Sequence, residues 1–455
     1  MNLNFYSVLC INFCFFFTLI SLDSVGTQTG YDTTRIFNAM AKARRGENIT
    51  IGVIGGSITQ GYAASSVSTR WANLMTNWWI NNFPKSKVTL INAGIGATGS
   101  DIGAFRIHND LLVDKPDFVV VEFSVNDLEG TTASKTMEGL IRQVLADSNH
   151  PGVMMLILKQ SNGTSALKSH KPVAEHYDVP VISFAELIDA QVAKDGVSLA
   201  SVYLSDGLHL VDEGMKYAAQ FITDELTRIY HNLPATDANI PAVTTQLPDP
   251  LFSDLYATTF DYNCTNLTPD LNNGWQLGTN DWHSSTPGSE LTFTVDGNAI
   301  GILYSRDNTT DRGRVNIWID NEAPEILDAF WTNNWGTTMV LHLMGESLTD
   351  GDHKLHISVA NENSAGSTGH YFQLLNVVKA GNITDTSAVN ADYEVKVYPV
   401  PVDKILFVDY QLSQQGVVDI SLFSITGKLV AKLKHEQQNP GKQQLHFNVD
   451  QLSSM

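Results

Sequence analysis

Two rhythms of apolar and polar positions alternate over the first half of the chain. Between about residues 30 and 232, short apolar runs separate stretches with helical spacing. Ile49–Ile54, Lys87–Ile91, Phe118–Phe123, Val153–Leu158 and Val179–Ile182 read as strands. Their successive positions are apolar, as in strands covered on both faces. Helical spacing runs through Trp71–Phe83, which places Leu74, Met75, Trp78 and Trp79 near one face. It recurs in Asp101–Leu112, Ser134–Ala146, Phe184–Val192 and Glu213–Tyr230. This βαβ alternation predicts an α/β fold, a three-layer doubly wound parallel sheet with its site at the carboxyl ends of the strands.

The pattern then breaks. Pro234, Pro241, Pro248 and Pro250 punctuate a polar stretch that neither a helix nor a central strand tolerates, so residues 233–250 read as a linker. From 251 to 382 the period shortens. Leu291–Val295, Ala299–Tyr304, Arg314–Ile319, Thr338–Leu343, Lys354–Val359 and Tyr371–Val378 are β-rich. Turns such as Asp296-Gly297-Asn298 separate them. An all-β sandwich of the jelly-roll kind is expected there. A third, smaller β unit is expected over 392–455, with strands at Ile405–Asp409, Val418–Ile425 and Leu429–Leu433.

The amino terminus is read differently. An apolar run, Phe5–Leu22, ends in Ser24-Val25-Gly26, so residues 1–26 are expected to be a cleaved export signal. No Lys or Arg precedes Arg35, which departs from the usual charged start; the rival reading is a membrane anchor. The mature chain, 27–455, has no other run long and apolar enough to span a bilayer. Cys10 and Cys14 fall in the leader, leaving Cys264 with no intramolecular disulfide partner. A net charge of −20 argues against nucleic acid or an anionic membrane as partner. No Cys/His cluster has zinc-ligand spacing, and no metal or cofactor is expected.

Four segments at predicted strand ends or in loops carry candidate chemistry. Ile54-Gly55-Gly56-Ser57 ends the first strand in a tight turn that exposes a serine. A serine hydroxyl needs a base, and the base an acceptor on its other nitrogen; Asp206 and His209, three apart on one loop, supply both. Asn126-Asp127 follows the third strand, where an Asn amide can donate to a developing oxyanion. Asn92-Ala93-Gly94-Ile95-Gly96-Ala97 ends the second and offers a backbone donor. Each segment alone reads equally well as a turn, a capping serine or a solvated loop histidine.

Together and in this order, the segments resemble the four blocks of the SGNH (GDSL-like) hydrolases. The matches are Gly56-Ser57, Gly96-Ala97, Asn126-Asp127 and Asp206-x-x-His209, within the first domain, 27–232. The resemblance implies that Ser57 attacks the acyl carbon, that His209 is general base and then general acid, and that Asp206 orients it. Backbone N–H groups of Ser57 and of Gly96 or Ala97, with the Asn126 amide, would form the oxyanion hole. Ala97 stands where the family has glycine, and a positive φ there would be strained. An α/β-hydrolase elbow is the competing motif, but Ser57 lacks its second glycine.

The tail, 392–455, resembles the C-terminal sorting domain of the type IX secretion system through Tyr398-Pro399-x-Pro401, Asp419–Ile425 and Gly427-Lys428. Val400 replaces the usual Asn, and the chain stops where that family has another strand or two, which reads as a truncated or degenerate signal. Its implied partner is the secretion machinery, and its implied location the exterior or cell surface. In the sandwich, Trp275, Trp282, Trp318, Trp331, Trp335 and Tyr371 are candidates for stacking on a sugar, with core packing as the alternative. Asp307, Asn308 and Asp311 are weighed as calcium ligands and read instead as an exposed polar turn. The expected function is a secreted serine esterase that deacetylates a polysaccharide. Its rivals are a lipase or thioesterase for longer acyl chains and a glycan-binding protein with a vestigial hydrolase domain.

Overall fold

The computed structural model describes residues 30–252, 260–263, 267–332, 336–345, 348–349, 351–380, 396–398, 405–412, 416–423 and 429–448. The proposed leader, Cys264, Trp335, Pro399–Pro401 and the 426–428 turn lie outside the described residues. The chain forms two compact units, one up to Ala380 and one from Gly381 onward.

The first unit opens with a parallel sheet of β1 (Ile49–Gly55), β2 (Val88–Gly94), β3 (Phe118–Glu122), β4 (Gly152–Ile157) and β5 (Val181–Ser183). Their order is β2-β1-β3-β4-β5, the doubly wound arrangement with its switch point between β1 and β3. Among the described residues, eight helices accompany the strands: α1 (Thr34–Arg44), α2 (Ser57–Gln60), α3 (Trp71–Asn82), α4 (Ser100–Asp110), α5 (Thr131–Ala146), α6 (Leu167–His176), α7 (Phe184–Asp195) and α8 (Asp212–His231).

The period-2 alternation of each strand explains the three layers. Val53, Val120, Met154 and Leu156 face one way, into a core with Met40 of α1, Trp71 and Trp79 of α3, Ile188 of α7 and Met215 of α8. Val119, Val121, Val153 and Met155 face the other way, against Phe105 of α4, Leu140 and Ile141 of α5, and Val173 of α6. The sequence reading missed α1 and α6. In α1, Lys and Arg share the segment with the small buried alanines 39, 41 and 43. In α6, Pro172 sits inside the helix, where a proline ordinarily signals a break.

The linker is irregular apart from one 3-10 turn, Asp237–Asn239, yet it is not loose. Arg35 donates to the Thr244 carbonyl at 3.0 Å, and Arg142 to that of Pro248 at 2.9 Å. The carboxylate of Glu138, buried on α5, accepts the N–H groups of Leu251 and Phe252 at 2.6 and 2.9 Å and the Tyr177 hydroxyl at 2.6 Å.

Eleven antiparallel strands follow: β6 (Phe260–Asn263), β7 (Leu271–Asn273), β8 (Gln276–Leu277), β9 (Trp282–Ser284), β10 (Glu290–Asp296), β11 (Ala299–Arg306), β12 (Arg314–Ile319), β13 (Glu325–Asp328), β14 (Thr338–Gly345), β15 (Asp352–Val359) and β16 (Phe372–Ala380). One sheet has the order β13-β12-β15-β10-β7, and the other β14-β11-β16-β9-β8 with β6 also on β16. Strand β11 shows how this sandwich joins the α/β layers. Ile300, Ile302 and Tyr304 face the inter-sheet core. Ala299 and Leu303 join the α4–α5–α6 core on the opposite face, with Val378 and Ala380 of β16. Trp275 and Trp282 are core, while Trp318 and Trp331 are partly exposed.

The 307–311 turn is exposed at Asn308 and Asp311, as read, and differs only at Asp307. Asp307 is buried, pairs with Arg312 and accepts the Thr309 N–H at 2.9 Å, and the Arg312 guanidinium lies 4.8 Å over the Tyr371 ring. A cation of the chain itself already neutralises this carboxylate.

The second unit holds β17 (Lys396–Tyr398), β18 (Ile405–Leu412), β19 (Gly416–Phe423), β20 (Leu429–Gln438) and β21 (Gly441–Asn448). A β17-β18-β21 sheet and a β19-β20 hairpin share a small core of Leu406, Val408 and Tyr410. The sequence reading did not anticipate β21, whose alternation of Gln, His and Lys with single apolar residues hides a strand with one weakly apolar face. No helix among the described residues is long and apolar enough to cross a membrane.

Candidate active site

Three loops at the carboxyl ends of β1, β2 and β3 meet the loop that precedes α8. β1 ends at Gly55, Gly56 turns, and Ser57 opens α2, largely buried at 8% exposure. The glycines are required by space. A Cβ on Gly56 would fall 2.1 Å from Asn126 Oδ1, and one on Gly55 2.4 Å from the Glu122 carbonyl oxygen. Arg106, buried on α4, donates to the carbonyls of Ala93 at 2.7 Å and Gly55 at 3.1 Å, so one guanidinium clamps the ends of β2 and β1.

A hydrogen-bond chain runs through the candidate triad. Ser57 Oγ lies 2.8 Å from His209 Nε2, and His209 Nδ1 lies 2.6 Å from Asp206 Oδ2. The other oxygen of Asp206 accepts the N–H groups of Leu208 and His209 at 2.9 and 3.0 Å. Burial works against the Asp206 charge, but these bonds and the neighbouring imidazole outweigh it and hold the carboxyl below its usual range. An ionised Asp206 accepting from Nδ1–H leaves Nε2 as the nitrogen that faces the serine hydroxyl.

The oxyanion candidates gather around the same serine. A Cβ built on Gly96 would lie 3.7 Å from Ser57 Cβ, so the 96–97 backbone borders Ser57. Ala97 does take the left-handed conformation, φ +59°. That costs about 1 kcal/mol for a residue with a Cβ. The Asn126 amide lies against Gly56, and its Oδ1 is buried without a hydrogen-bond partner.

Sequence reasoning missed what supports these groups. Asp127 accepts the Ser100 N–H at 2.9 Å, Ser100 Oγ at 2.5 Å, and meets His170 Nε2 at 2.9 Å. One buried carboxylate therefore ties the Asn126 loop to the start of α4, which carries the 96–99 loop. The sequence signal was Asn-Asp itself, read only for its Asn. Glu122, fully buried at the end of β3, accepts Thr59 Oγ1 at 3.0 Å, Ser124 N–H at 3.1 Å and Ser124 Oγ at 3.2 Å. Burial raises its pKa to about 7 despite those bonds. Nothing in an apolar strand singled out Glu122. Tyr62, whose ring centroid lies 4.5 Å from that of His209, carried no motif either.

A cavity of about 240 Å³ opens at the opposite, amino-terminal edge of the sheet, lined by Arg35, Lys42, Asp117 and His150, and contains none of these residues. Among the described residues, no group of three or more His, Cys, Asp or Glu could hold a metal ion.

Residues 53–217 match the GDSL-like lipase/acylhydrolase family, and residues 396–454 the secretion system C-terminal sorting domain. A two-domain esterase active on acetylated mannans, crystallised with mannopentaose, is similar with a TM-score of 0.70 and 28% identity, over 77% of this chain and 96% of that one. Thioesterase 1/protease 1/lysophospholipase L1 of Escherichia coli (strain K12) is 27% identical over 192 residues, 39% of this chain and 83% of its own length. The arylesterase of Vibrio mimicus is 25% identical over 184 residues, 39% of this chain and 87% of its own.

Proposed function

We propose that this chain, an esterase whose residues 53–217 belong to the GDSL-like lipase/acylhydrolase family, removes acetyl groups from an acylated polysaccharide outside the cell. The observation that carries the chemistry is the unbroken chain Ser57 Oγ to His209 Nε2 to Asp206, at 2.8 and 2.6 Å. His209 takes the serine proton as Oγ attacks the acyl carbon. The tetrahedral oxyanion is met by backbone N–H groups of Ser57 and of the 96–97 segment and by the Asn126 amide. His209 then hands the proton to the departing sugar oxygen, and water repeats the sequence on the acyl-enzyme. Asp206 stays ionised and holds the imidazole.

The acetylated-glycan reading is supported by the extent of the similarity. The thioesterase and the arylesterase match 39% of this chain, the length of the catalytic domain alone. The two-domain esterase active on acetylated mannans matches 77%, which requires the β-sandwich as well. Export rests on the secretion sorting domain, residues 396–454, with residues 1–26 as a cleaved leader and the type IX machinery as partner. We take residues 27–232 as the hydrolase domain, 233–250 as its linker, 251–382 as the sandwich and 392–455 as the sorting domain.

Acetate release from acetylated mannan and acetylated xylan tests the reading, wild type beside Ser57→Ala. Release that disappears in the variant is expected. Equal release from both proteins, or a wild type active only on long-chain esters, would overturn it.

A further inference from the structure

Tyr62 belongs to the substrate side of this site, and its chemistry identifies which half of the ester it meets. Its backbone is held at two points. Its N–H donates to the Ser57 carbonyl at 3.0 Å, and three residues on, Ser65 N–H donates to Asp212 at the start of α8 at 2.8 Å. Gly61 makes the turn at φ +91°, with the Arg70 side chain packed where a Cβ would go. The ring on this fixed stem is nevertheless 60% exposed, tilted 51° against the His209 imidazole at 4.5 Å. A single exposed aromatic residue is common on a protein surface, so it is the contact with the His209 imidazole that singles this ring out.

The position decides the ligand. In ester hydrolysis the histidine protonates the leaving oxygen, so the space beside its imidazole receives the alcohol half of the substrate. The acyl half and its developing oxyanion lie at Ser57, Gly96 and Asn126 instead. A ring touching His209 therefore faces the alcohol, which in an acetylated glycan is a pyranose. The apolar C–H face of a pyranose packs on an aromatic face, and the tyrosine hydroxyl remains in water. Resting on the proposed function, we infer that Tyr62 is the platform of a leaving-group subsite on which the sugar ring bearing the acetyl ester stacks.

Binding without turnover tests this. Unacetylated mannopentaose and xylopentaose are titrated calorimetrically into full-length Ser57→Ala and into Ser57→Ala/Tyr62→Ala, with matched unfolding temperatures as the folding control. At least one pentasaccharide is expected to bind Ser57→Ala, and its affinity to fall about tenfold without the ring. Tyr62→Phe and Tyr62→Trp on the same background should stay within about threefold, because both keep a stacking face. Equal affinities with and without the ring overturn the inference, even where Tyr62→Ala slows hydrolysis of ethyl acetate, since that pattern belongs to a residue that merely orients His209. Failure of both sugars to bind Ser57→Ala overturns it as well. The parent reading fails separately, through equal acetate release by the wild type and Ser57→Ala.

Discussion

Replacing Glu122 by glutamine is expected to flatten the pH dependence of stability between about pH 4.5 and 7. The carboxyl is fully buried behind the Gly55-Gly56-Ser57 turn, with three donors around it, and burial lifts its pKa from 4.5 to about 7. A raised carboxyl pKa means that the folded state holds its proton more tightly than the unfolded chain does. The resulting stability is complete below the unfolded value near 4.5 and is lost as pH rises through about 7. At about 1.4 kcal/mol per pH unit, the gap corresponds to between about 3 and 4 kcal/mol, of which about 3 falls between pH 4.5 and 8. Glutamine keeps the shape and an acceptor for the Ser124 N–H, and the hydroxyls of Thr59 and Ser124 can rotate to suit its amide. Urea unfolding of the wild type and Glu122→Gln at pH 4.5, 6 and 8, followed by the fluorescence of buried Trp71 and Trp79, measures the difference. Relative to the variant, the wild type should lose about 3 kcal/mol from the lowest pH to the highest. Subtraction removes the contributions of other carboxylates, Asp206 among them, whose depressed pKa works in the opposite direction. Parallel stability curves would refute the argument, for Glu122 would then titrate as an ordinary carboxylate.

Asp127→Asn removes the charge that holds Ser100 and His170, so kcat should fall on the order of a hundredfold with KM changed less, because the proposed oxyanion donors would lose their mutual spacing. Steady-state kinetics on ethyl acetate checks it, and equal losses in binding and turnover would contradict it. Ala97→Gly relieves the left-handed conformation at φ +59° and should stabilise the protein by up to about 1 kcal/mol, raising the melting temperature by a few degrees with activity retained. A lower melting temperature would mean that the methyl group makes contacts worth more than the strain. Leu303→Asp puts a charge into the apolar seam between the sandwich and the α4–α5–α6 layer, where the side chain is 2% exposed. A loss of more than about 3 kcal/mol in urea unfolding, with earlier proteolysis in the 233–250 linker, is expected; wild-type stability would show that the seam opens in solution.

The α/β layering was legible in the sequence because each strand carries its instruction locally. Consecutive apolar residues such as Phe118-Val119-Val120-Val121 suit only a strand covered on both faces. The residues proposed for the triad and the oxyanion hole stand out in the sequence for a related reason. Chemistry at a sheet edge depends on short, rigid loops with glycines at fixed places, and Gly55-Gly56-Ser57 and Asp206-x-x-His209 are contiguous in the chain. What escaped the sequence is what depends on distance in space. Glu122 looks like a stray polar residue until Thr59 and Ser124 are found around it. Asp127 looks like a turn former until Ser100 and His170, 27 and 43 residues away, converge on its carboxylate. The linker prolines predicted a break and could not predict that Glu138, more than a hundred residues earlier, anchors its end. The role proposed for Tyr62 depends on a histidine on the loop between α7 and α8. Periodicity and turn chemistry act through covalent neighbours and are written in order along the chain, so the sequence determined the layers, the turns and the reactive types. Burial, pKa and the pairing of one carboxylate with three distant donors are properties of the folded interior, and only the tertiary structure decided them.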